Sequence, residues 1–171
     1  DKSESLGGLD RCAAVARALR DQFPSSVVVS AGNDVTAQSH PLKIDLFDTY
    51  YTHCSYDAVG FGAGEYDAGV HTYLSRSSPD VKWVLTNGPA DGVTGLVRKK
   101  KISVHTYELM VYSIIHPGIV AGQDSTAPLG DAADELREML LYGDAKSATM
   151  RILIVHADWA RIKAYAAAFP D

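Results

Sequence analysis

The stretch Ala58-Val59-Gly60-Phe61-Gly62-Ala63-Gly64-Glu65-Tyr66-Asp67 decides how the rest of the chain is interpreted. It has the pattern of a short apolar strand that runs into a Gly-rich turn and ends in carboxylates. Glycines let a backbone bend sharply or approach a ligand closely. Acidic side chains just after a strand lie at the edge where open α/β sheets usually bind ligands. The alternative is a plain strand-to-helix turn, in which Asp67 caps the next helix.

Length, composition and charge restrict the classes of protein to consider. The 171 residues fit one domain (1–171), and 46% apolar with 22% charged residues is an ordinary globular composition. The net charge is −5, and the basic run Arg98-Lys99-Lys100-Lys101 has the pattern of a solvated strand or hairpin edge, so nucleic-acid binding is not expected. No apolar stretch approaches the roughly 20 residues that span a bilayer.

The start of the chain and its cysteines complete this first survey. Since the sequence begins at Asp1 without Met, we expect either a removed leader or a segment of a longer protein, incomplete at both ends. Cys12 and Cys54 each lie on the apolar face of a predicted helix. Buried free thiols are expected there, with a disulfide between the two helices as the alternative. The sequence lacks C-x-x-C and C-x-x-C-H motifs.

Apolar periodicity predicts an alternation of helices and strands along the chain. The predicted helices are 6–22, 42–55, a short one after residue 67, 128–142 and 159–169, and the predicted strands are 27–31, 58–61, 81–85, 102–106, 109–115 and 151–155. The strand 27–31 has the β-branched composition of a strand buried on both faces. The order predicts a layered α/β fold with a mostly parallel sheet flanked by helices.

Three predicted strand ends carry polar residues that converge in such a fold: Gly32-Asn33-Asp34, Gly62-Ala63-Gly64-Glu65 and Val155-His156-Ala157-Asp158. A histidine among carboxylates suits a hard divalent metal or an acid/base site. A hydrogen-bonded structural role is the alternative for the histidine. A nucleotide-binding turn is a further alternative, although the Gly-x-Gly-x-Gly spacing lacks the full fingerprint.

The order of four segments resembles that of a known family. They are GGLDRCAAVARALRDQFPSSVVVSAGND, YDAVGFGAGEYDAG, VKWVLTNG and ILIVHADWARIKAYAAAFPD. Together they look like the N-terminal metallophosphoesterase domain of the 5'-nucleotidase and UDP-sugar hydrolase family, over nearly all of the chain. The resemblance implies a metallophosphoesterase-type α/β sandwich. In that family the second segment is a G-N-H-E block and the fourth is a strand that bears a metal-binding histidine.

The family's metal-binding residues are only partly present. Asn33 stands where the family has a bridging aspartate, and Asp34 lies one place late. Ala63 and Gly64 stand where it has a metal-binding asparagine and a catalytic histidine, whereas Glu65 persists.

Elsewhere in the pattern, Asp67 persists as well, and His156 matches the metal-binding histidine of the later block. The family's D-x-H and G-H-x-H blocks would fall before Asp1 and after Asp171.

These departures imply a domain that kept the fold and lost its catalytic site. A two-metal phosphoesterase needs a bridging carboxylate and a full ligand set to activate water between its ions. His156, Asn33, Asp34 and Glu65 are therefore vestigial metal candidates, and no catalytic residue or cofactor is expected. The resemblance further implies a periplasmic or extracellular scaffold or interaction subunit with a protein partner, such as a multihaem c-type cytochrome. Tyr50, Tyr51, Tyr107 and Tyr112 are candidate contacts, with core packing as the alternative.

A working metal-dependent phosphohydrolase with an altered site is the competing hypothesis. It requires that Asp34, Glu65, Asp67 and His156, with His40 as an optional further ligand, form an altered site for Mn, Zn, Mg or Ca. Its substrate would be a nucleotide or a similar phosphate ester.

Overall fold

The computed structural model describes residues 8–89, 93–122, 127–142, 148 and 150–169. The elements in chain order are α1 (Leu9–Gln22), β1 (Val29–Ser30), α2 (Pro41–His53), β2 (Ala58–Gly60), α3 (Ala63–Asp67), α4 (Val70–Leu74), β3 (Trp83–Val84), β4 (Leu96–Val97), β5 (Lys100–Val104), β6 (Tyr107–Ile115), a 3-10 turn (Pro117–Ile119), α5 (Ala132–Tyr142), β7 (Met150–His156) and α6 (Trp159–Ala168). Among these helices, none has the length and apolar character to cross a membrane.

The strands form two sheets. The first is parallel and has the order β1-β2-β3-β4. The second has the order β5-β6-β7, in which β5 and β6 form an antiparallel hairpin and β6 and β7 run parallel. The predicted mixed α/β class with a parallel sheet flanked by helices is confirmed.

The two sheets stack face to face between layers of helices. Successive side chains of a strand point to opposite faces. Val59 and Trp83 accordingly pack towards α2, α3 and α4, whereas Ala58 and Val84 pack against the second sheet. On the far face of the second sheet, Met110 and its neighbours pack against α5 and α6. The layer order is therefore helices, sheet, sheet, helices.

Aromatic side chains fill the layer between the first sheet and its helices. The Trp83 ring is fully buried, and Tyr51, Phe61 and Tyr73 meet it edge-on, with ring centroids 5.1–5.6 Å away. Its indole Nε1 donates to the Ser77 hydroxyl at 2.7 Å. Edge-to-face contacts of this kind stabilise a core by about 0.5–1.5 kcal/mol each beyond the buried area.

Helix α1 is less covered than its amphipathic pattern predicts. Ala13 and Ala16 are its buried residues, whereas Leu19 is 46% exposed. The thiol of Cys12 is also exposed, which corrects the expectation of a buried residue. Cys54 is buried as expected, and both cysteines are free. The contacts of α1 with the other described elements are mainly those with α2, and its Cys12 and Leu19 positions stay exposed.

The predicted strand 27–31 is shorter and less buried than expected. Its regular part is Val29–Ser30, and both residues are half-buried. The sequence correctly indicates a strand, but β1 lies at the edge of its sheet, where one side has no neighbouring strand among the described residues. Strand β7 is half-buried along most of its length for the same reason.

Other boundaries shift where a capping residue acts. Helix α5 begins at Ala132 rather than at residue 128, because the Asp131 carboxylate accepts hydrogen bonds from the backbone N–H groups of Ala133 and Asp134, at 2.9 and 3.0 Å. The helix predicted after residue 67 is present as α4, but a further short helix, α3, precedes it.

The basic run lies at the predicted hairpin edge. Lys100 and Lys101 begin the edge strand β5, and Lys101 is exposed. Arg98 instead points inward, where its guanidinium pairs with Glu135 and donates to the Thr86 carbonyl. Strand β4 was not predicted, since two residues carry too little periodicity.

Candidate functional site

The turn after β1 and the start of α3 meet at a buried carboxylate, that of Glu65. Its Oε2 accepts hydrogen bonds from the N–H groups of Asn33 (2.9 Å) and Gly62 (3.0 Å). Its Oε1 accepts from the N–H of Asp34 at 2.7 Å. The Glu65 side chain is fully buried, so these bonds replace its hydration. One side chain thus fastens together two segments that are remote in sequence.

The local sequence explains why Glu65 points inward. Gly62 is the N-cap of α3, and Glu65 is the third residue of the helix. A glutamate at this position commonly reaches back to the N-cap N–H, as half of a capping box. The Gly-rich segment is therefore the first turn of a helix rather than an open loop.

Asn33 adopts a left-handed backbone conformation with φ 67°. Asparagine tolerates this region better than most residues. Its Oδ1 accepts a hydrogen bond from the N–H of Gly64 at 2.9 Å. A Cβ at Gly64 would lie 1.8 Å from the Val35 carbonyl oxygen. The backbone of Asn33 to Val35 therefore lies directly on the start of α3. At position 64 it leaves room only for glycine.

Asp34 directs its carboxylate towards helix α2. Its Oδ2 accepts a hydrogen bond from the Tyr51 hydroxyl, which also lies 3.2 Å from Ser30 Oγ. Burial raises the pKa of Tyr51, and the hydrogen bond to Asp34 raises it further. The phenol therefore stays protonated and serves as a donor to Asp34. The sequence predicted Tyr51 on the buried face of its helix, but no local pattern indicates this bond.

The surroundings of the Glu65 carboxyl group act on its pKa in opposite directions. Burial is the largest and raises its pKa, and the neighbouring Asp34 charge acts in the same direction. Hydrogen bonds from the N–H groups of Asp34 and Asn33 lower the pKa.

His156 ends strand β7 beside the exit of β1. Its ring contacts the backbone of Ala31 through a hydrogen bond, and burial lowers its pKa. Nε2 is buried and has no hydrogen-bond partner in the part of the chain that the structure describes. The histidine thus reaches the β1 exit through Ala31, and no direct contact joins it to Glu65 among the described hydrogen bonds and ion pairs.

Three other polar candidates lie elsewhere. Asp67 is the last residue of α3, and its Oδ1 accepts from the N–H of Ala121 at 2.9 Å. It is therefore not the predicted N-cap of the following helix, a position that Gly69 occupies. His40 is the exposed N-cap of α2, and Asp158 is the N-cap of α6.

The oxygens of the predicted metal candidates at this turn are engaged in hydrogen bonds within the protein. Both oxygens of Glu65 already accept backbone hydrogen bonds, Asn33 offers a neutral oxygen that Gly64 uses, and Asp34 accepts from Tyr51. Across the described ranges, no group of three or more His, Cys, Asp or Glu is placed to hold an ion. The structure brings together Asn33, Asp34 and Glu65, but as a backbone-locked turn.

A second buried polar residue, Asn87, was missed by the sequence argument. It follows strand β3, in the segment that resembles the family's S-A-N turn. Its Nδ2 donates to the carbonyls of Ile115 (2.7 Å) and Gly130 (3.0 Å), and its Oδ1 accepts from the Ile115 N–H at 3.0 Å. Asn87 thereby joins the ends of the two sheets. Its partners are remote in sequence, so no local signal could have identified this role.

Comparisons with known proteins were informative only at the level of structure. No family model and no curated protein sequence matches the chain. Several solved structures do match over nearly all of it. The NAD nucleotidase NadN of Haemophilus influenzae superposes with a TM-score of 0.73 at 16% identity, covering 94% of this chain and 30% of that one. The 5'-nucleotidase precursor of Thermus thermophilus superposes with a TM-score of 0.75 at 15% identity, covering 94% and 33%.

The fold is of the metallophosphoesterase type seen in 5'-nucleotidases. A putative 5'-nucleotidase of Staphylococcus aureus gives the same result, with a TM-score of 0.64, 14% identity and coverage of 92% of this chain and 34% of that one. At these identities the similarity concerns the fold alone. The chain spans about a third of the length of these nucleotidases.

Proposed function

We propose that this chain is a non-catalytic metallophosphoesterase-like domain, in which a protein-binding role has replaced phosphate-ester hydrolysis. The observation that carries the proposal is the Glu65 carboxylate. Three backbone N–H groups occupy its two oxygens, so it has little capacity left to bind a cation. Removing it from this arrangement to ligate a metal would leave buried N–H groups unpaired, at about 1–3 kcal/mol each.

The backbone around Gly64 supports the same conclusion. This is the position at which the resembled family has its catalytic histidine. Here the Val35 carbonyl oxygen lies 1.8 Å from where any Cβ would be placed. Introducing that histidine therefore requires the turn after β1 to move. The backbone as well as the side chains thus argues against the catalytic arrangement.

The proposed role is that of a scaffold or interaction subunit in the periplasm or outside the cell. Export is the expectation from the family resemblance, and one similar structure is described as a precursor. Large apolar side chains are exposed on several elements, including Val15 of α1 and Tyr107 of β6. Exposed apolar surface of this kind is typical of protein interaction sites when it is contiguous.

The test combines metal content with turnover. The purified protein is incubated with Mn²⁺, desalted and analysed for metal, and then assayed with p-nitrophenyl phosphate. We expect no retained metal above a buffer control and no turnover. Two ions per chain together with turnover would establish instead the metal-dependent phosphohydrolase, the competing hypothesis.

The partner we propose is a multihaem c-type cytochrome, named by the resemblance alone. The tagged protein is used to isolate its complex from the periplasmic or secreted fraction of the native host, and the product is tested for covalently bound haem. A c-type haem spectrum in stoichiometric amount is expected. A complex without haem would rule out a cytochrome as the partner. The non-catalytic role would then be judged by the metal and turnover test alone.

A further inference from the structure

We propose that Ser25 and His105 are the nucleophile and the base of a site that hydrolyses carboxylic esters, separate from the turn around Glu65. The inference goes beyond the proposed function, which concerns the metallophosphoesterase site. Ser25 lies in the turn between α1 and β1, and His105 lies at the tip of the hairpin of β5 and β6. Ser25 Oγ is 2.5 Å from His105 Nε2, although the two residues are 80 positions apart in sequence.

This pair has the arrangement of an activated serine. A serine hydroxyl is a weak nucleophile unless a base within hydrogen-bond reach takes its proton. When the imidazole of His105 carries its proton on Nδ1, Nε2 accepts the hydroxyl proton of Ser25. Both side chains are exposed, so a substrate has access to the hydroxyl group.

The backbone of His105 has an uncommon conformation. The pairing of Val104 with Tyr107 leaves His105 and Thr106 as a two-residue hairpin loop. His105 has φ 52°, in the left-handed region that Asn or Gly usually occupies in such loops. Uncommon backbone conformations persist where the surrounding structure enforces them, and they cluster at functional sites. The short loop thus holds the imidazole beside the turn that carries Ser25.

A polar pocket of about 280 Å³ lies beside the pair. Besides Ser25 and His105, its lining includes Arg20, Ser26 and Ser103. Ser26 Oγ is buried and has no hydrogen-bond partner among the described residues. A free hydroxyl donor of this kind suits the negative charge that develops on the carbonyl oxygen of an ester under attack. Ser26 is therefore the donor that we assign to the tetrahedral intermediate.

Ser25 also lines an apolar groove of about 380 Å³. The other lining residues of this groove are Val27, Val104, Tyr107, Leu109 and Met150. Ser25 is thus at the junction of a polar pocket and an apolar groove. An ester carbonyl at Ser25 would place its oxygens in the pocket and its acyl chain in the groove. The substrate class is accordingly an ester of an apolar carboxylic acid.

The proposed reaction consumes one ester and one water. Ser25 Oγ attacks the carbonyl carbon while its proton moves to His105 Nε2. The ester C–O bond then breaks, the departing alkoxide takes the proton from His105, and the acyl group remains on Ser25 as an ester. Water attacks this acyl group, His105 accepts the proton of the water and returns it to Ser25, and the carboxylic acid leaves.

A fluorophosphonate probe with an octyl chain tests the nucleophile. Ser25 Oγ would displace fluoride and form a phosphonate ester, which peptide mass spectrometry locates. We expect the adduct on Ser25 and its loss in Ser25→Ala. His105→Asn removes the base but suits the left-handed turn, and it should slow labelling about 100-fold or more.

Two substitutions at exposed positions of the α4 region serve as controls for this labelling. Ser75→Ala and His71→Asn should each change the labelling rate less than about twofold. Labelling confined to residues other than Ser25 would overturn the proposal. An unchanged rate in His105→Asn would overturn it as well, because Ser25 would then react without its base.

The length of the acyl chain tests the apolar groove. Hydrolysis of p-nitrophenyl octanoate should exceed that of p-nitrophenyl acetate at least about tenfold in kcat/KM, because the longer chain is removed from water. Tyr107→Lys places a charge in the groove and should lower this preference at least about fivefold. Leu42→Lys, at a 69% exposed position of α2, should change it less than about twofold. Equal rates for the two esters, or equal effects of the two substitutions, would overturn the assigned substrate class.

The labelling is repeated on the protein isolated from its native host. If Ser25 reacts in the 171-residue chain but not in the isolated protein, other polypeptide covers the pocket and the proposal is overturned. EDTA should leave the labelling rate unchanged, since Ser25 and His105 supply the nucleophile and the base, and a metal requirement would overturn the proposal. Manganese-dependent hydrolysis of p-nitrophenyl phosphate would instead overturn the non-catalytic role and leave Ser25 labelling unaffected.

Discussion

The two ends of strand β1 are built in opposite ways. At its exit, polar groups are closely packed and paired, with the Glu65 carboxylate saturated by backbone N–H groups. Along its open edge, apolar grooves lie on both faces, and no neighbouring strand is present among the described residues. The comparison sets a closely packed turn, the closed end of the strand, against a sheet edge that has no neighbouring strand among the described residues. A change at the closed end should therefore cost stability, and a change at the open edge should not.

The largest effect is expected from Gly64→Ala. The added Cβ would lie 1.8 Å from the Val35 carbonyl oxygen, so the two segments must separate. We expect a loss of about 3 kcal/mol or more in the free energy of unfolding, measured by urea denaturation. Gly122→Ala is the control, since a Cβ there meets nothing within 4 Å. Similar stability of the two variants would show that the turn is loosely packed.

Glu65→Ala should be nearly as damaging. It removes the acceptor for three backbone N–H groups, and the expected loss is about 2–4 kcal/mol in the free energy of unfolding. Glu138→Ala, at an exposed position of α5, should change this quantity by less than about 0.5 kcal/mol. If both variants unfold at the same urea concentration, the carboxylate does not hold the turn.

The stability should depend on pH through His156. Burial lowers the pKa of its ring below the ordinary value of 6.5. The unfolded chain therefore binds this proton more tightly, so the stability contribution is complete above pH 6.5 and is lost as the pH falls towards the folded pKa. Thermal unfolding of the protein and of His156→Gln, measured between pH 7.5 and about 5, should show a steeper decline for the unsubstituted chain. If the stability of the two proteins declined with pH at the same rate, the lowered pKa of His156 in the folded protein would be contradicted.

The smallest effect is expected at the open edge. Val15 is 58% exposed in the groove on the helical face, so Val15→Lys removes little buried apolar surface. The free energy of unfolding should change by less than about 0.5 kcal/mol. A loss comparable to that of Glu65→Ala would mean that α1 is packed in solution and that the edge is not open.

Sequence patterns predicted what depends on neighbouring residues and failed on what depends on distant ones. The strand at Ala58 and the helices around Tyr51 and Leu136 follow from periodicity, and so does the α/β class. The sequence also placed Asn33 and Asp34 near Glu65, because strand ends in a parallel sheet share one edge. Their use as metal ligands stays a prediction.

The errors have a common physical cause. Periodicity describes how apolar and polar residues alternate along a segment, but it does not reveal whether another element lies beside that segment. For this reason β1 and the Cys12 face of α1 were expected to be buried. Similarly, two of the three N–H groups that bind Glu65 belong to a distant segment, and both partners of Asn87 are equally remote in sequence. The signal that could have indicated a role for Glu65 was local, namely a glutamate three residues after Gly62 at a helix start.

The aromatic packing around Trp83 also gives the protein an internal optical reporter. The chain has two tryptophans, and the other, Trp159, is 68% exposed on α6. Iodide should quench the emission of Trp159 and spare that of Trp83, whose blue-shifted fluorescence then reports on the core between the first sheet and its helices. With Trp159→Phe, the remaining signal would follow the unfolding of that layer alone, without any added dye.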